Sequence, residues 1–463
     1  MKKNAVVEPD QLHRHLKLAL DTGEVANLEE ARILFDSYRL GIVVGSGIAH
    51  SATMQAAVLT AVNTGRRSFL GGVFVEGTLD VPLLVPWGRC RTLEDAVVDL
   101  KGVIADCSPE VPRLVIGGDS APNTDSEFAV RATFDGWRGG VAPLYQDLRL
   151  PERRECVPAG VLAGALGVSE AFQFLRRDNA LAGRRDIGLS LWQPDRDVSW
   201  LKDSGEGPEI ERLPASVWLI GLGHLGQAFL WTLGLLPYHS PKDVHLVLQD
   251  FDELVEANES TSLLTTRAML GQKKTRSMAL WCESRGFSTS IVERRFADDF
   301  KVAGDEPRVA LCGVDNALAR AYVEDVGFDR VIEAGLGAGT QEYLAFQTHT
   351  FPARRSARTR WAAQGHQPDG HTVANNPAYR ALAEQGLDDC GVTTLAGRTV
   401  GASFVGAVTA TVVLAELLRM GLGGHRYEVI DGSLRSLELR QAVEYSDVAP
   451  FNPGTTAARL ETV

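Results

Sequence analysis

The stretch Val217-Trp218-Leu219-Ile220-Gly221-Leu222-Gly223-His224-Leu225-Gly226 decides the fold. Four apolar residues of strand length run into a GxGxxG turn, and Gln227 to Leu233 continue it as a helix. In a strand–turn–helix of this kind the first glycine permits the tight turn. The second lets the backbone approach a phosphate, and the third lets helix and strand pack closely. The N–H groups of the helix N-terminus then face an anion. Val244 to Gln249 reads as the next strand and delivers Asp250 and Asp252 at its C-terminal end, where an acid hydrogen-bonds ribose hydroxyls. Up to this point the chain serves a NAD enzyme equally well. It then supplies Asn258, and Gly271 and Lys274 at the opening of another helix. A lysine there balances the charge of a nucleoside triphosphate.

As an ordered set, Gly221, Gly223, Gly226, Asp250, Asp252, Asn258, Gly271 and Lys274 resemble the E1-like, or ThiF/MoeB/ubiquitin-activating, adenylation enzymes. Val309 to Asn316 is similar to that family's strand ending in an Asp-Asn pair, and Ile332 to Gly339 to its next strand and glycine turn. The resemblance spans about residues 214 to 445 and implies a Rossmann-like, doubly wound α/β sheet that binds ATP and Mg2+. On that reading the three glycines, Asp250, Asp252, Asn258, Lys274 and Asp315 bind the nucleotide. Asp315, at a strand C-terminus where open α/β sheets take ligands, is the Mg2+ or phosphate-site residue. Lys274 and Asp315 share the catalytic work. The implied partner is a ubiquitin-like or sulfur-carrier protein, or a peptide, whose C-terminal carboxylate is adenylated.

The sequence also departs from the family. An arginine usually stands three residues after the asparagine; here that position is Thr261, with Arg267 the next arginine. In two-domain relatives a basic side chain comes from the other domain, and Arg39 is the candidate here. Cys390, in Leu387-Asp-Asp-Cys390-Gly391, falls where thioester-forming members carry a cysteine. Asp388 and Asp389 oppose its ionisation, whereas the following helix N-terminus favours it. His224, within the glycine turn, reads as a helix-start residue. The run Arg354, Arg355, Arg358, Arg360 reads as a solvated face or a surface for an acidic carrier.

The chain has 463 residues, a net charge of −12, 44% hydrophobic and 23% charged residues, which fits two or three globular domains. The negative charge argues against nonspecific nucleic-acid binding and against an anionic membrane surface. The six cysteines, Cys90, Cys107, Cys156, Cys282, Cys312 and Cys390, form no CxxC pair, so neither a disulfide framework nor a structural zinc site is expected. No signal peptide and no apolar span of bilayer length are read, which gives a cytoplasmic expectation.

An earlier strand–glycine turn, Gly41 to Gly47, and two small-residue helical stretches, Pro158 to Leu175 and Val400 to Arg419, indicate an internal duplication. The first copy lacks the third glycine and the acid, asparagine and lysine set. The expected organisation is therefore a degenerate domain over 1–201, a linker over 202–214, an adenylation domain over 215–447 and a loose tail over 448–463. The oligomeric expectation is a monomer with an internal pseudo-dimer, or a homodimer. Two other functions stay open: a NAD-dependent oxidoreductase, which leaves Asn258, Lys274 and Asp315 without a role, and a nonenzymatic pseudo-adenylation scaffold, favoured by Thr261.

Overall fold

The computed structural model describes residues 10–118, 125–202, 207–361, 400–446 and 451–459. Two sheets of one design frame it. The first comprises β1 (Leu40–Val44), β2 (Val73–Gly77), β3 (Val103–Ile104), β4 (Arg113–Ile116), β5 (Ala129–Asp135), β6 (Arg138–Pro143) and β7 (Ile187–Ser190), in the order β3-β2-β1-β4-β5-β6-β7. After the short β8 (Arg212–Pro214) comes the second sheet. It comprises β9 (Ser216–Ile220), β10 (His245–Gln249), β11 (Ser288–Val292), β12 (Val309–Cys312), β13 (Arg330–Leu336), β14 (Ala345–Phe351), β15 (Tyr427–Ser433) and β16 (Gln441–Glu444), in the order β11-β10-β9-β12-β13-β14-β15-β16. In both, the strands up to β5 or β13 pair in parallel and the later ones antiparallel. The fold is α/β with Rossmann-type strand order, and the shared order is the duplication that the paired glycine turns predict.

Strand alternation gives the second sheet two cores. Val217 and Leu219 of β9 face the core shared with the first half, while Trp218 and Ile220 join Phe296, Phe300 and Phe351 on the other face. The small-residue helices lie between the sheets. Glycine costs about 1 kcal/mol against alanine in a helix interior, so the several glycines of helix Val157–Arg176 suggest very close packing on a sheet. Gly160 and Gly164 instead abut the backbone of Thr53 and Ala57 in helix Ala52–Gly65, and only Gly167 meets the sheet, at Leu114. Omitting Cβ atoms lets two helix backbones touch, which a side chain of any size would prevent.

The halves meet across these helices. Phe172 packs on Phe404 of helix Ser403–Gly421 at 5.4 Å between ring centroids. Ser403 Oγ donates to the Thr64 carbonyl at 3.1 Å, and Trp231 Nε1 to Thr60 Oγ1 at 3.0 Å. At the far side the 178–198 segment of the first half is held by the second. Tyr343 donates to Asp178 at 2.7 Å, and Arg440 to the Pro194 and Asp195 carbonyls at 2.7 and 2.6 Å. The equivalent glutamates of the two long helices do equivalent work: Glu170 accepts from Gly183 N just before β7, and Glu416 from Tyr427 N at the start of β15.

Several sequence expectations shift. Within the expected tail, β17 (Thr455–Ala457) pairs antiparallel with β8 inside the expected linker, where its β-branched residues find an open strand edge. Helices Val157–Arg176 and Ser403–Gly421 do reach bilayer length and hydropathy, contrary to the reading of no such span; 94% and 89% of their apolar windows are buried inside the fold. Residues 81–85, which read as a short strand, form only an isolated bridge at Pro82, whereas Phe134 to Trp137, which read as a loop or edge strand, closes the inner β5–β6 hairpin.

Candidate active site

Each glycine of the GxGxxG turn does separate work. Gly221 takes φ +85, in the left-handed region, as the chain leaves β9. A Cβ on Gly226 would overlap the Gly221 carbonyl, so helix His224–Leu235 sits directly against the strand end. At Gly223 a Cβ would meet nothing within 4 Å; this is the open face of the turn. No side chain caps the helix that starts here, which leaves its first N–H groups available.

The acids at the end of β10 bind inward and outward. Asp250 is buried, and its carboxylate fixes the turn: Oδ2 accepts from Leu222 N at 2.7 Å, and Oδ1 from Phe251 N and Asp252 N at 2.8 and 2.9 Å. Of about four lone-pair sites, these use three. Asp252 is more exposed and accepts from Lys274 Nζ at 2.9 Å; the same ammonium lies 3.9 Å from Asp250. Lys274 opens helix Lys274–Ser284 and is 9% exposed, so it is a held cation rather than a surface lysine. Lys273 points to the Phe251 carbonyl, beside the stack of Arg295 on Phe251 at 4.6 Å.

Asn258 lies in the single-turn helix Glu256–Ser260, where its Oδ1 accepts from Val255 N at 2.9 Å. Asp315 is exposed just past β12. Its loop is pinned by Arg320, which donates to the Val314 carbonyl at 2.6 Å and pairs with buried Glu333 at 3.1 Å. Neighbouring Asn316 caps helix Ala317–Ala321. Among the described residues no group of three or more histidine, cysteine or acidic side chains is arranged to hold a metal ion. Cys390 lies outside the described residues.

Neither arginine considered from the sequence reaches the segment that holds Thr261 through more than a surface pair. Arg267 is 80% exposed and pairs with Glu259 at 3.4 Å. Arg39 is exposed at the start of β1, the end of that strand away from its glycine turn. Instead Arg67 of the first half, 2% exposed, enters the segment that holds Thr261 and donates to the carbonyls of Glu259, Leu263 and Thr265. Asn63, one turn earlier, donates to the Leu263 carbonyl at 3.0 Å. Helix Arg14–Asp21 is also adjacent: Arg14 N donates to Ser260 Oγ at 3.3 Å. Sequence reading missed Arg67; the available signal was an arginine pair directly after a helix without a single charged residue, where chain reversal turns it toward a neighbour. It also missed Gln227, which is fully buried beside the turn.

His224 is half-buried, with its ring against helix Ser403–Gly421. Burial lowers its pKa to about 4, against the backbone groups of Ala402 and Ser403, which raise it. It is therefore neutral at physiological pH, in keeping with a packing role. The Arg354–Arg360 run is partly neutralised: Arg358 pairs with Asp325 at 2.7 Å and Arg360 with Glu428 at 3.7 Å.

Comparison with known proteins assigns the class. Residues 39–191 match the BilD N-terminal domain and residues 213–424 the BilD C-terminal domain. The chain is 43% identical over 459 residues to the bacterial E1-like protein BilD of Collimonas sp. (strain OK412), covering 98% of each. Solved structures with some similarity include E. coli MccB (TM-score 0.35, 13% identity, 69% of this chain and 94% of that one). Another is E. coli TcdA, a tRNA N6-threonylcarbamoyladenosine dehydratase (TM-score 0.28, 15% identity, 45% and 86%). The two family domains and the 43% identical relative make this chain an E1-like protein. Within that class, the chain belongs to the BilD family.

Proposed function

We propose that the second half binds Mg-ATP and adenylates the C-terminal carboxylate of a ubiquitin-like or sulfur-carrier protein, or of a peptide. What supports this reading is the set of groups that the strand ends and following turns present: open Gly223, the uncapped helix at His224, the held ammonium of Lys274 and exposed Asp315. That donor set suits a chain of phosphates with a divalent cation: backbone N–H groups and a lysine meet the anion, and a carboxylate meets the metal. A NAD site has no use for the lysine.

The nucleotide supplies an electrophilic α-phosphorus and pyrophosphate as leaving group. The acceptor carboxylate oxygen forms the new P–O bond as the bond to the β-phosphate breaks. Lys274 neutralises charge on the phosphates, and the amides at 223–226 orient them. Asp250, with its remaining acceptor capacity, and Asp252 meet the ribose hydroxyls, and Asn258 shapes the adjoining segment. Asp315 would hold the Mg2+, whose charge would offset that of the phosphates. Transfer of the activated acyl group to Cys390 as a thioester would release AMP.

Calorimetric titration with Mg-ATP and with NAD, on wild type and Lys274→Ala, tests this. Mg-ATP binding that the substitution weakens at least about tenfold, without NAD binding, is expected. NAD binding indifferent to Lys274 would make the turn a dinucleotide site. Binding of neither would leave a scaffold.

A further inference from the structure

We infer that Arg67 of the first half is a positioning residue for the glycine turn of the second, acting through Gln227. This rests on the nucleotide reading of that turn. Every bond that Arg67 makes in the site ends on a main-chain carbonyl, at Glu259, Leu263 and Thr265. Its role is therefore to fix backbone rather than to touch phosphate. The segment it fixes is in turn bonded to Gln227: Leu264 N and Thr265 Oγ1 donate to Gln227 Oε1 at 3.0 and 3.1 Å. Gln227 Nε2 then donates to the Leu222 carbonyl at 3.1 Å, inside the glycine turn. Leu222 N closes the path on Asp250 at 2.7 Å.

The path runs from one half to the other without a break, and its side chains are buried: Arg67 at 2%, Asn63 and Gln227 at 0%. Water cannot substitute for a lost member, so a missing bond must be absorbed by movement of the backbone it held. Gln227 joins the segment to the turn through one side chain, because its oxygen takes two donors from the segment and its amide nitrogen donates to Leu222. The first sheet, with no nucleotide set of its own, thus contributes to the site by holding the 259–265 segment at one distance from the turn.

The test is a double-mutant cycle on the full chain, read as Mg-ATP affinity by calorimetry and, separately, as thermal unfolding midpoint. Arg67→Met and Gln227→Met each lower affinity about tenfold, and the double substitution is no worse than the weaker single, because both cut one path. Arg67→Lys, which can reach one carbonyl but not three, recovers part of the affinity. Ser403→Ala removes a bond between the halves outside the path and leaves affinity unchanged even where it lowers the midpoint. Independent, additive losses would overturn the inference, as would affinity that follows the unfolding midpoint across all variants including Ser403→Ala. Wild type without Mg-ATP binding would overturn the nucleotide reading itself, and this inference with it.

Discussion

The imidazole of His224 lies so close to Gly406 that a Cβ on the glycine would overlap His224 Nε2. One residue belongs to the glycine turn of the second sheet and the other to the long helix Ser403–Gly421, so the contact fixes how that helix approaches the turn. Gly406→Ala should lower stability by about 1–3 kcal/mol through overpacking. His224→Ala introduced alongside it should return much of the loss, because the space is then vacated. Denaturant midpoints of the two singles and the double check this; simple additivity would mean that the residues do not compete for space.

The turn glycines should separate folding from binding. Gly226→Ala sets a methyl against the Gly221 carbonyl and should destabilise the second half by about 1–3 kcal/mol or more. Gly223→Ala meets no protein atom and has an ordinary φ of −83, so the unfolding midpoint should barely move. The added methyl occupies the face assigned to phosphate, and Mg-ATP affinity should fall. A Gly223→Ala protein that binds Mg-ATP like wild type would place the phosphates elsewhere.

Three histidines near the meeting of the halves give a signed pH dependence. Burial holds His13 at about 4, with the charges of Arg67 and Arg14 adding to the effect, and His224 at about 4; His15 is held well below its usual value, mainly by burial. In the unfolded chain these groups titrate near ~6.5. Between about 6.5 and 4 the unfolded chain therefore binds more protons, and stability should fall as pH drops through that window and stay flat above it. His15→Leu should show a shallower fall in denaturant midpoint between pH 7.5 and pH 5 than wild type. Equal slopes would remove His15 from the effect.

The buried pair Glu416–Arg419 fastens the end of helix Ser403–Gly421. Glu416 accepts from Tyr427 N at 2.9 Å, and Arg419 donates to the Leu191 carbonyl of the first half at 2.5 Å. Arg419→Met leaves a carboxylate in a buried site without its cation and should cost about 3–5 kcal/mol. Adding Glu416→Gln, which keeps an acceptor for Tyr427, should recover most of that. Chemical denaturation of the three proteins decides it.

The parallel strands were legible because buried strands are short apolar runs, and the glycine turns because backbone geometry demands those residues. Asp250 and Lys274 were legible as a pair of positions at the ends of elements. That Asp250 spends three acceptor sites on backbone N–H groups was not, since no pattern of residue types reports where main-chain donors converge. The edge strand β11, Ser-Thr-Ser-Ile-Val, lacked signal because it is largely exposed and so carries no apolar run. Arg67 was hidden for a third reason: it acts some 200 residues away in the chain, and only the packing of one half on the other brings it to Leu263.

The pairing of the two halves has a consequence for regulation by dilution. Arg67 meets Leu263 within one chain, so the contact forms at an effective local concentration on the order of millimolar whatever the amount of protein in solution. An assembly of two separate subunits would lose its shared site as its concentration fell. The Arg67–Leu263 contact, made within one chain, is instead indifferent to dilution.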